Sequence, residues 1–465
     1  VITASQAVAA LWRGAGLPEN ALGQLSLTGR EPVLPSSFAV DRAAQASLAA
    51  SGLAAALLWE LRSGTRQNVS VDIRHAAAEF LSDRLLRVDG QVPSDPWDPI
   101  AGLYPTADGW VRLHTNFPHH RAGVVALLGC ADDRPSVAAA LLGWNAEAFE
   151  TAAAEAGMCV TALRDFAAWD ASPQGQAIPN SPVQIEQIGE APAESFLLPL
   201  DSRPLDGVRV LDLTRIIAGP VGARTLAAHG ADVLAITGPH LPFIPTLVID
   251  TGRGKRQASL DLRHAIGQAA LAGLVRETDV FVQGYRPGGL AALGFGPDRL
   301  AVLRPGIVAA SLNAYGDTGP WAGRRGFDSL VQTASGFNDA EQAAAGDSKP
   351  RPLPCQALDH ASGALLAFGI AAALYRRATV GGSWHVRVSL AGTARWLRSL
   401  GRISDGFAGT VPDLSDRLDM VPSGFGMLSA VRHAAHMSET PAHWMLPSVP
   451  LGTHPASWDT GRIGG

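Results

Sequence analysis

Lysine is nearly missing from this 465-residue chain: only Lys255 and Lys349 occur, so arginine holds almost every basic position and each retained lysine draws notice. Cysteine is scarce too. Cys130, Cys159 and Cys355 stand far apart, which fits neither a disulfide framework nor paired metal-ligand spacing and points to a reducing cytoplasm. Excess positive charge is lacking: the formal net charge is −5, which leaves no basic footprint for nucleic acid or a membrane surface and favours small metabolites as partners. The longest apolar runs, around Leu48–Trp59 and Ala361–Tyr375, read as too short and too interrupted to cross a bilayer, and Val1 opens no charged-then-apolar leader. The expectation is a soluble, unexported protein without a membrane role.

Stock motifs are missing as well. The turn Leu213-Thr-Arg-Ile-Ile-Ala-Gly-Pro220 has no G-x-G-x-x-G, so a dinucleotide fingerprint is excluded. Gly252-Arg-Gly-Lys-Arg256 lacks both the leading Gly and the final Ser or Thr of a phosphate loop. His114, His119 and His120 have no carboxylate partners in sequence, and they read as ordinary side chains rather than a metal cluster. Gly381-Gly-Ser-Trp-His385 lacks the last Gly of a nucleophile elbow. No metal is expected.

What the chain does contain is a repeat. Residues 50–77 and 367–394, offset by 317 positions, share ten identities, against roughly two or three from the Ala, Leu and Gly bias. Gly52 pairs with Gly369, Gly64 with Gly381, Val69 with Val386 and Val71 with Val388. Upstream, each copy has a Leu-Pro pair followed by an Asp in an apolar setting, Asp41 and Asp359. Each copy reads as a small-residue helix, a Gly-containing turn and a Val-alternating strand.

Along the chain, residues 1–90 hold a helix at Ala4–Trp12 and the first copy. The three prolines of Val92–Ile100 mark a boundary, and 91–180 read as a small α+β domain. It opens on a hairpin turning at Asp108-Gly109, followed by helices at Ala122–Leu128, Val137–Leu141, Ala146–Ala156 and Thr161–Trp169. Residues 181–204 read as a proline-spaced linker. From 205 to 400 strands and helices alternate: strands at Val208–Leu213, Ala231–Ile236, Ser259–Leu262, Val280–Gln283 and Ile307–Leu312, helices at Val221–His229, Ile266–Glu277 and Pro297–Leu303. That pattern predicts an α/β fold, a parallel sheet with helices on both faces, with ligands at the carboxyl ends of its strands. Residues 401–465 read as an irregular tail wrapped over the domain.

The stretch Val208-Arg-Val-Leu-Asp-Leu-Thr-Arg-Ile-Ile-Ala-Gly-Pro220, with Gly230-Ala-Asp-Val233, Gly254-Lys-Arg256, Ser259-Leu-Asp-Leu262, Arg286-Pro-Gly288, Tyr315-Gly-Asp-Thr-Gly-Pro320 and Gly326-Phe-Asp328, resembles the family III CoA-transferases, the CaiB/BaiF family. The resemblance covers about 190 residues. It implies a Rossmann-like CoA-binding domain, acyl-CoA and a carboxylic acid as substrates, coenzyme A as the carried group, and a homodimer. Asp359 falls where the family has its catalytic aspartate; by residue type alone it also reads as a cap of a helix starting at His360. By the same resemblance Ile216, Ile217 and Ala218 would line the adenine or ribose end, Lys255 and Arg256 the phosphates, and Tyr285 an aromatic wall, with Arg325 a further phosphate contact. The chain departs from the family at Thr237-Gly238, Gly254, Gly284 and Ala292, where Glu-Arg, Asn, Asn and Arg are common. It also carries the small domain ahead of the large one, the order expected of a circular permutation with a duplicated seam.

Chemically, a carboxylate beside a thioester can form a mixed anhydride and then an aspartyl-CoA thioester. Two alternatives accompany this reading. An acyl-CoA racemase would need a histidine where Phe327 stands. A non-catalytic CoA-binding or scaffold descendant would be favoured by an exposed Asp359 or one paired with Arg351.

Overall fold

The computed structural model describes residues 2–194, 202–408 and 410–458. At its centre lies a seven-stranded sheet in the order Lys255–Ser259, Asp232–Thr237, Arg209–Leu213, Val280–Gln283, Val308–Asn313, Ser383–Ser389 and Val183–Gly189. Six strands run parallel and the last is antiparallel. The strand order reverses between Arg209–Leu213 and Val280–Gln283, so the turns leaving these two strands diverge and open a crevice at their carboxyl ends.

Several expected elements move. The third strand is Lys255–Ser259, not Ser259–Leu262, because the two cations at its start are neutralised across the sheet and packed as strand residues. The expected linker contains the edge strand Val183–Gly189, with Val183 and Ile185 paired to Val388 and Val386; its residues 195–201 lie outside the described ones. The expected helix at Thr161–Trp169 is a strand, Val160–Ala162, followed by a helix, Phe166–Ala171. The hairpin at Asp108-Gly109 forms Gly102–Pro105 and Trp110–Leu113, with the helices Pro118–Leu128, Arg134–Leu141 and Ala146–Glu155 behind it. The described part of the tail is more ordered than expected, with a hairpin Leu418–Ser423/Gly426–Val431 and a strand Ala435–Met437.

The two copies of the repeat share one geometry. Their helices, Val40–Ser63 and Ala357–Val380, are both 24 residues long and begin 317 positions apart. Each is followed by a glycine of positive φ, Gly64 and Gly381, and then by a strand. Each strand ends on a residue that caps the next helix: the Asp72 side chain accepts from the N–H of His75, the Ser389 hydroxyl from the N–H of Gly392. By composition and length both long helices could cross a membrane, contrary to the shorter runs read from the sequence, but here they are packed against each other in the core. That core extends from Ala7 to Met437, so no separate core divides residues 1–90 from the large domain.

The copies also exchange their downstream segments. The strand Val69–Asp72 pairs parallel with Leu25–Thr28 on one side and antiparallel with Ala435–Met437 on the other. Ser383–Ser389 is flanked the same way, parallel by Val308–Asn313 and antiparallel by Val183–Gly189. The strand returning after the first copy therefore completes the second copy's sheet, and the strand after the second completes the first's. The C-terminal hairpin repeats the first one at the same offset: Pro105 faces Trp110, and Pro422 faces Met427. The two units thus hold related positions, as the duplicated-seam order requires.

Candidate active site

The crevice at the sheet's switch point is a cleft of about 320 Å³. Its walls are the turn Arg215–Ala218, the turn Gly284–Pro287, the strand end Leu312–Ala314, the loop Arg324–Phe327 and, from the small domain, Phe117, His119 and His120. Asp359 lies in this wall. Six of the residues singled out from the sequence meet here: Asp359, Ile216, Ile217, Ala218, Tyr285 and Arg325.

Asp359 is the third residue of the helix Ala357–Val380, not a cap ahead of it, so its carboxyl sits at the positive end of a long helix dipole. Gly363 brings that helix close: a Cβ there would meet the carbonyl oxygen of Ala218 at 2.6 Å and the Val221 side chain at 2.8 Å. Absence of a side chain lets the helix press on Ala218–Ala228 and delivers Asp359 to the turn. Ile216 within that turn has φ of 76°, a left-handed conformation that is costly for a β-branched residue and is maintained by the surrounding packing.

The carboxyl of Asp359 is held well above the usual carboxylate range, first by burial and then by the negative charges of Asp328 and Asp83. Asp328 Oδ2 accepts the backbone N–H of Asp359 at 2.9 Å, and Gln332 donates to its other oxygen. Gln332 in turn accepts the N–H of Leu353 at 2.8 Å, so one buried network fixes the approach to the helix. Arg351 pairs with Asp347 instead of Asp359. Across the cleft, Phe327 stacks on His114 at 3.7 Å between ring centroids, and burial pushes that histidine far below its ordinary pKa. Arg325 donates to His120, whose pKa is lowered to about 3 by burial and neighbouring cations.

Lys255 and Arg256 are not brought to the cleft. Lys255 is buried and donates to Asp212 and to the carbonyl of Pro220, both at 2.8 Å. Arg256 is spent on Asp232 and the carbonyl of Ser457. Both cations tie the edge of the sheet to what lies beside it. The cations that do line the cleft are Arg215, Arg286, Arg324 and Arg325, of which only the last was singled out in the sequence. Arg286 carried a usable signal, since it follows the second strand bordering the crevice. A second hollow of about 360 Å³, floored by Gly238, shares Leu213, Tyr285, Arg286 and Arg325 with the cleft and extends it along the sheet top.

The position of Asp41 also differs from the pairing read in the sequence. With the helices aligned at their first residues, Asp41 corresponds to Leu358, and Arg42 to Asp359. Asp41 accepts the N–H groups of Val33 and Leu34, and Arg42 is buried against Glu31 and the carbonyl of Leu400.

The sequence pattern of CoA-transferase family III matches residues 15–192 and 205–425. The chain belongs to this family. Among relatives of the CoA-transferases it is similar to an acyl-CoA transferase of Gibberella moniliformis, 29% identical over 384 residues, 73% of this chain and 67% of that one. A probable fatty acyl-CoA transferase of Mycobacterium tuberculosis is 33% identical over 202 residues, 41% of this chain and 51% of that one. The chain thus spans two thirds of the first relative and about half of the second. The crystal structure of a CaiB/BaiF family protein from Brucella suis aligns with 42% of this chain and 55% of its own, at 29% identity and a TM-score of 0.39. The family-III match falls in two stretches, and the cleft's turns at 215–218 and 284–287, with Asp359, all lie in the second.

Proposed function

We propose that this protein transfers CoA from an acyl-CoA thioester to a carboxylic acid through Asp359. The observation carrying this reading is the placement of a buried carboxyl at the N-terminus of a long helix, inside the cleft at the switch point of the sheet. Ionised Asp359 attacks the thioester carbonyl and expels the CoA thiolate, leaving an acyl-aspartyl anhydride. The thiolate then attacks the aspartyl carbonyl, releases the donor acid and leaves an aspartyl-CoA thioester. The acceptor carboxylate attacks that thioester, giving a new anhydride and thiolate, and thiolate attack on its acyl carbonyl returns acyl-CoA and free Asp359.

The surroundings serve this sequence. Burial leaves the carboxylate poorly solvated and therefore reactive, and it keeps water from the anhydride. The helix N-terminus offsets negative charge that passes onto and off the aspartyl group. CoA would extend from Asp359 past Ile216 and Tyr285 into the adjoining hollow, where Arg286 and Arg325 supply cations and Gly238 leaves room. A cytoplasmic homodimer fits the composition and the family.

The burial of Asp359, and the pairing of Arg351 with Asp347, count against the scaffold reading. Phe327, stacked on His114, counts against racemisation. The test is intact-protein mass after incubation with a panel of acyl-CoAs. A CoA-sized adduct that hydroxylamine cleaves and Asp359→Asn abolishes is the expected result. CoA binding without any adduct would overturn the mechanism.

A further inference from the structure

Along the cleft, positive charge and the Asp359 carboxyl are kept apart. Four guanidinium groups line it, against the single carboxyl of Asp359 among the described residues. Arg286 and Arg325 also line the adjoining hollow, so they stand at the end assigned to CoA. Arg215 lies 5.0 Å from the centre of the Phe117 ring, donates to the carbonyl of Pro242 and sits beside Tyr285, on whose phenol its charge acts. Arg324 is 3.8 Å from Glu150 of the small domain and 4.2 Å from the centre of the Trp321 ring. The charges that act on the Asp359 carboxyl are those of Asp328 and Asp83, and no guanidinium is among them.

Four contacts assemble the other end, around Asp359. Gly363 presses its helix on the carbonyl of Ala218, which brings Ile217 and Ala218 to the carboxyl. Asp328 holds the Asp359 N–H, so the preceding residue, Phe327, lies alongside. The hydroxyls of Ser362 and Thr393 meet at 2.7 Å, one helical turn beyond Asp359 and Leu390 respectively, and both of those residues line the cleft. The Ala391 N–H bonds the carbonyl of Ala314 at 2.9 Å and fixes the end of the strand there.

The side chains gathered this way are apolar: Ile217, Ala218, Phe327, Ala314 and Leu390, with Leu312 beside them. The polar neighbour at the strand end, Asn313, is already engaged, donating to Asp317 and accepting the N–H of Gly316, both at 2.6 Å. Behind Phe327, His114 is buried and stays uncharged. An acid brought here has the helix N-terminus for the carboxylate that reacts. A second carboxylate on its body would lose water without gaining a cation, and Asp328 and Asp83 would repel it. An apolar body loses nothing of the kind and gains the contact surface. The same wall therefore favours one class of acid and rejects another.

We propose that the acyl groups this protein exchanges are uncharged and apolar, that its acids are monocarboxylic, and that Phe327 and Leu390 select them by walling the Asp359 end of the cleft without a cation. The inference rests on the reading of Asp359 as the group that takes up CoA, and it adds the class of acid. The cleft is thus divided, with guanidinium groups for the phosphates of CoA at one end and an apolar wall for the acyl body at the other.

The test compares acids of equal chain length with and without a second carboxylate: hexanoate against adipate, and valerate against glutarate. With acetyl-CoA and with succinyl-CoA as donor, each monocarboxylate should exceed its partner in kcat/KM as acceptor by at least tenfold. Isothermal titration of the same acids into CoA-saturated protein, where no thioester is present to react, should show the same order of binding. Leu390→Lys sets an ammonium group in the apolar wall and should shift the hexanoate-to-adipate ratio at least tenfold toward adipate; titration with CoA checks that this variant is folded. A dicarboxylate that binds or reacts within tenfold of its partner would overturn the inference and leave the mechanism standing. So would an unchanged ratio in a Leu390→Lys protein that still binds CoA. The expected order of binding without any aspartyl-CoA adduct would remove the mechanism and support the inference. Neither binding nor transfer of any of the four acids would overturn both.

Discussion

Asp328 Oδ2 accepts the backbone N–H of Asp359 at 2.9 Å, so the residue that fixes the start of the helix carrying Asp359 also sets a negative charge beside the Asp359 carboxyl. The same contact positions Asp359 and raises its pKa. Asp328→Asn keeps an acceptor oxygen and removes the charge. The carboxyl of Asp359 then ionises at lower pH, and the acid limb of the pH profile for adduct formation should move down while the plateau persists. Asp328→Ala leaves the N–H unpaired in a buried site, at a cost of about 1–3 kcal/mol, and urea unfolding should show it.

Arg42 stands at the helix position of Asp359 in the other copy, and its guanidinium is buried on Glu31 and the Leu400 carbonyl. One chain should therefore take up one CoA, read as a single adduct mass at saturation. Arg42→Leu strands Glu31 in a half-buried site and should destabilise the fold by about 3–5 kcal/mol, while the folded fraction still forms the Asp359 adduct. Two adducts per chain would show that a second nucleophile operates.

Lys255 and Asp212 are both buried and 2.8 Å apart, beside the cleft but outside its lining. Lys255→Met leaves Asp212 uncompensated, and a loss of about 3–5 kcal/mol is expected in chemical denaturation. The double variant Lys255→Met/Asp212→Asn should recover most of that loss. In the double variant KM for acyl-CoA should stay within about twofold, whereas a phosphate-binding lysine would raise it much further when removed.

Gly363→Ala places a methyl 2.6 Å from the Ala218 carbonyl oxygen, which belongs to backbone and cannot swing away. The helix must retreat from the turn, at a cost of about 1–3 kcal/mol. Because Asp359 lies one turn away on that helix, kcat should fall by more than tenfold while CoA binding, measured by titration, changes little.

Burial raises the pKa of Asp41 to about 6, against the opposing N–H groups of Val33 and Leu34. A carboxyl whose folded pKa lies above its unfolded one stabilises the fold fully only below about pH 4, and that contribution is lost as pH rises through 6. Asp41→Asn should therefore gain relative to wild type between pH 4 and 6, by an amount on the order of 2–3 kcal/mol, visible in melting temperatures across that range.

The repeat, the α/β alternation and the residues around Asp359 were legible in the chain because they rest on local signals. Glycines at turns, apolar periods and a run of matching motifs need no knowledge of what packs on what. Placement of the cations was not legible. Lys255 and Arg256 sit in a glycine-flanked stretch that looks like a ligand loop, and only pairing across the sheet, with Asp212 and Asp232, shows them neutralised. Arg215, Arg286 and Arg324 reach the cleft through turns whose direction depends on the strand order, and the sequence does not state that order.

The sequence by itself determined that one αβ unit is used twice and that an aspartate near the start of the second copy is the candidate nucleophile. Its offset of 317 survives in both helices, both caps and both hairpins. Only the tertiary structure decided which residue of the first copy answers to Asp359. A one-residue shift in an alignment is nearly free among alanines and leucines, whereas a helix that starts one residue later turns every side chain by about 100°. Only the folded chain could also show that the units exchange their returning strands, because strand pairing at long separation is set by which buried faces meet and not by local composition.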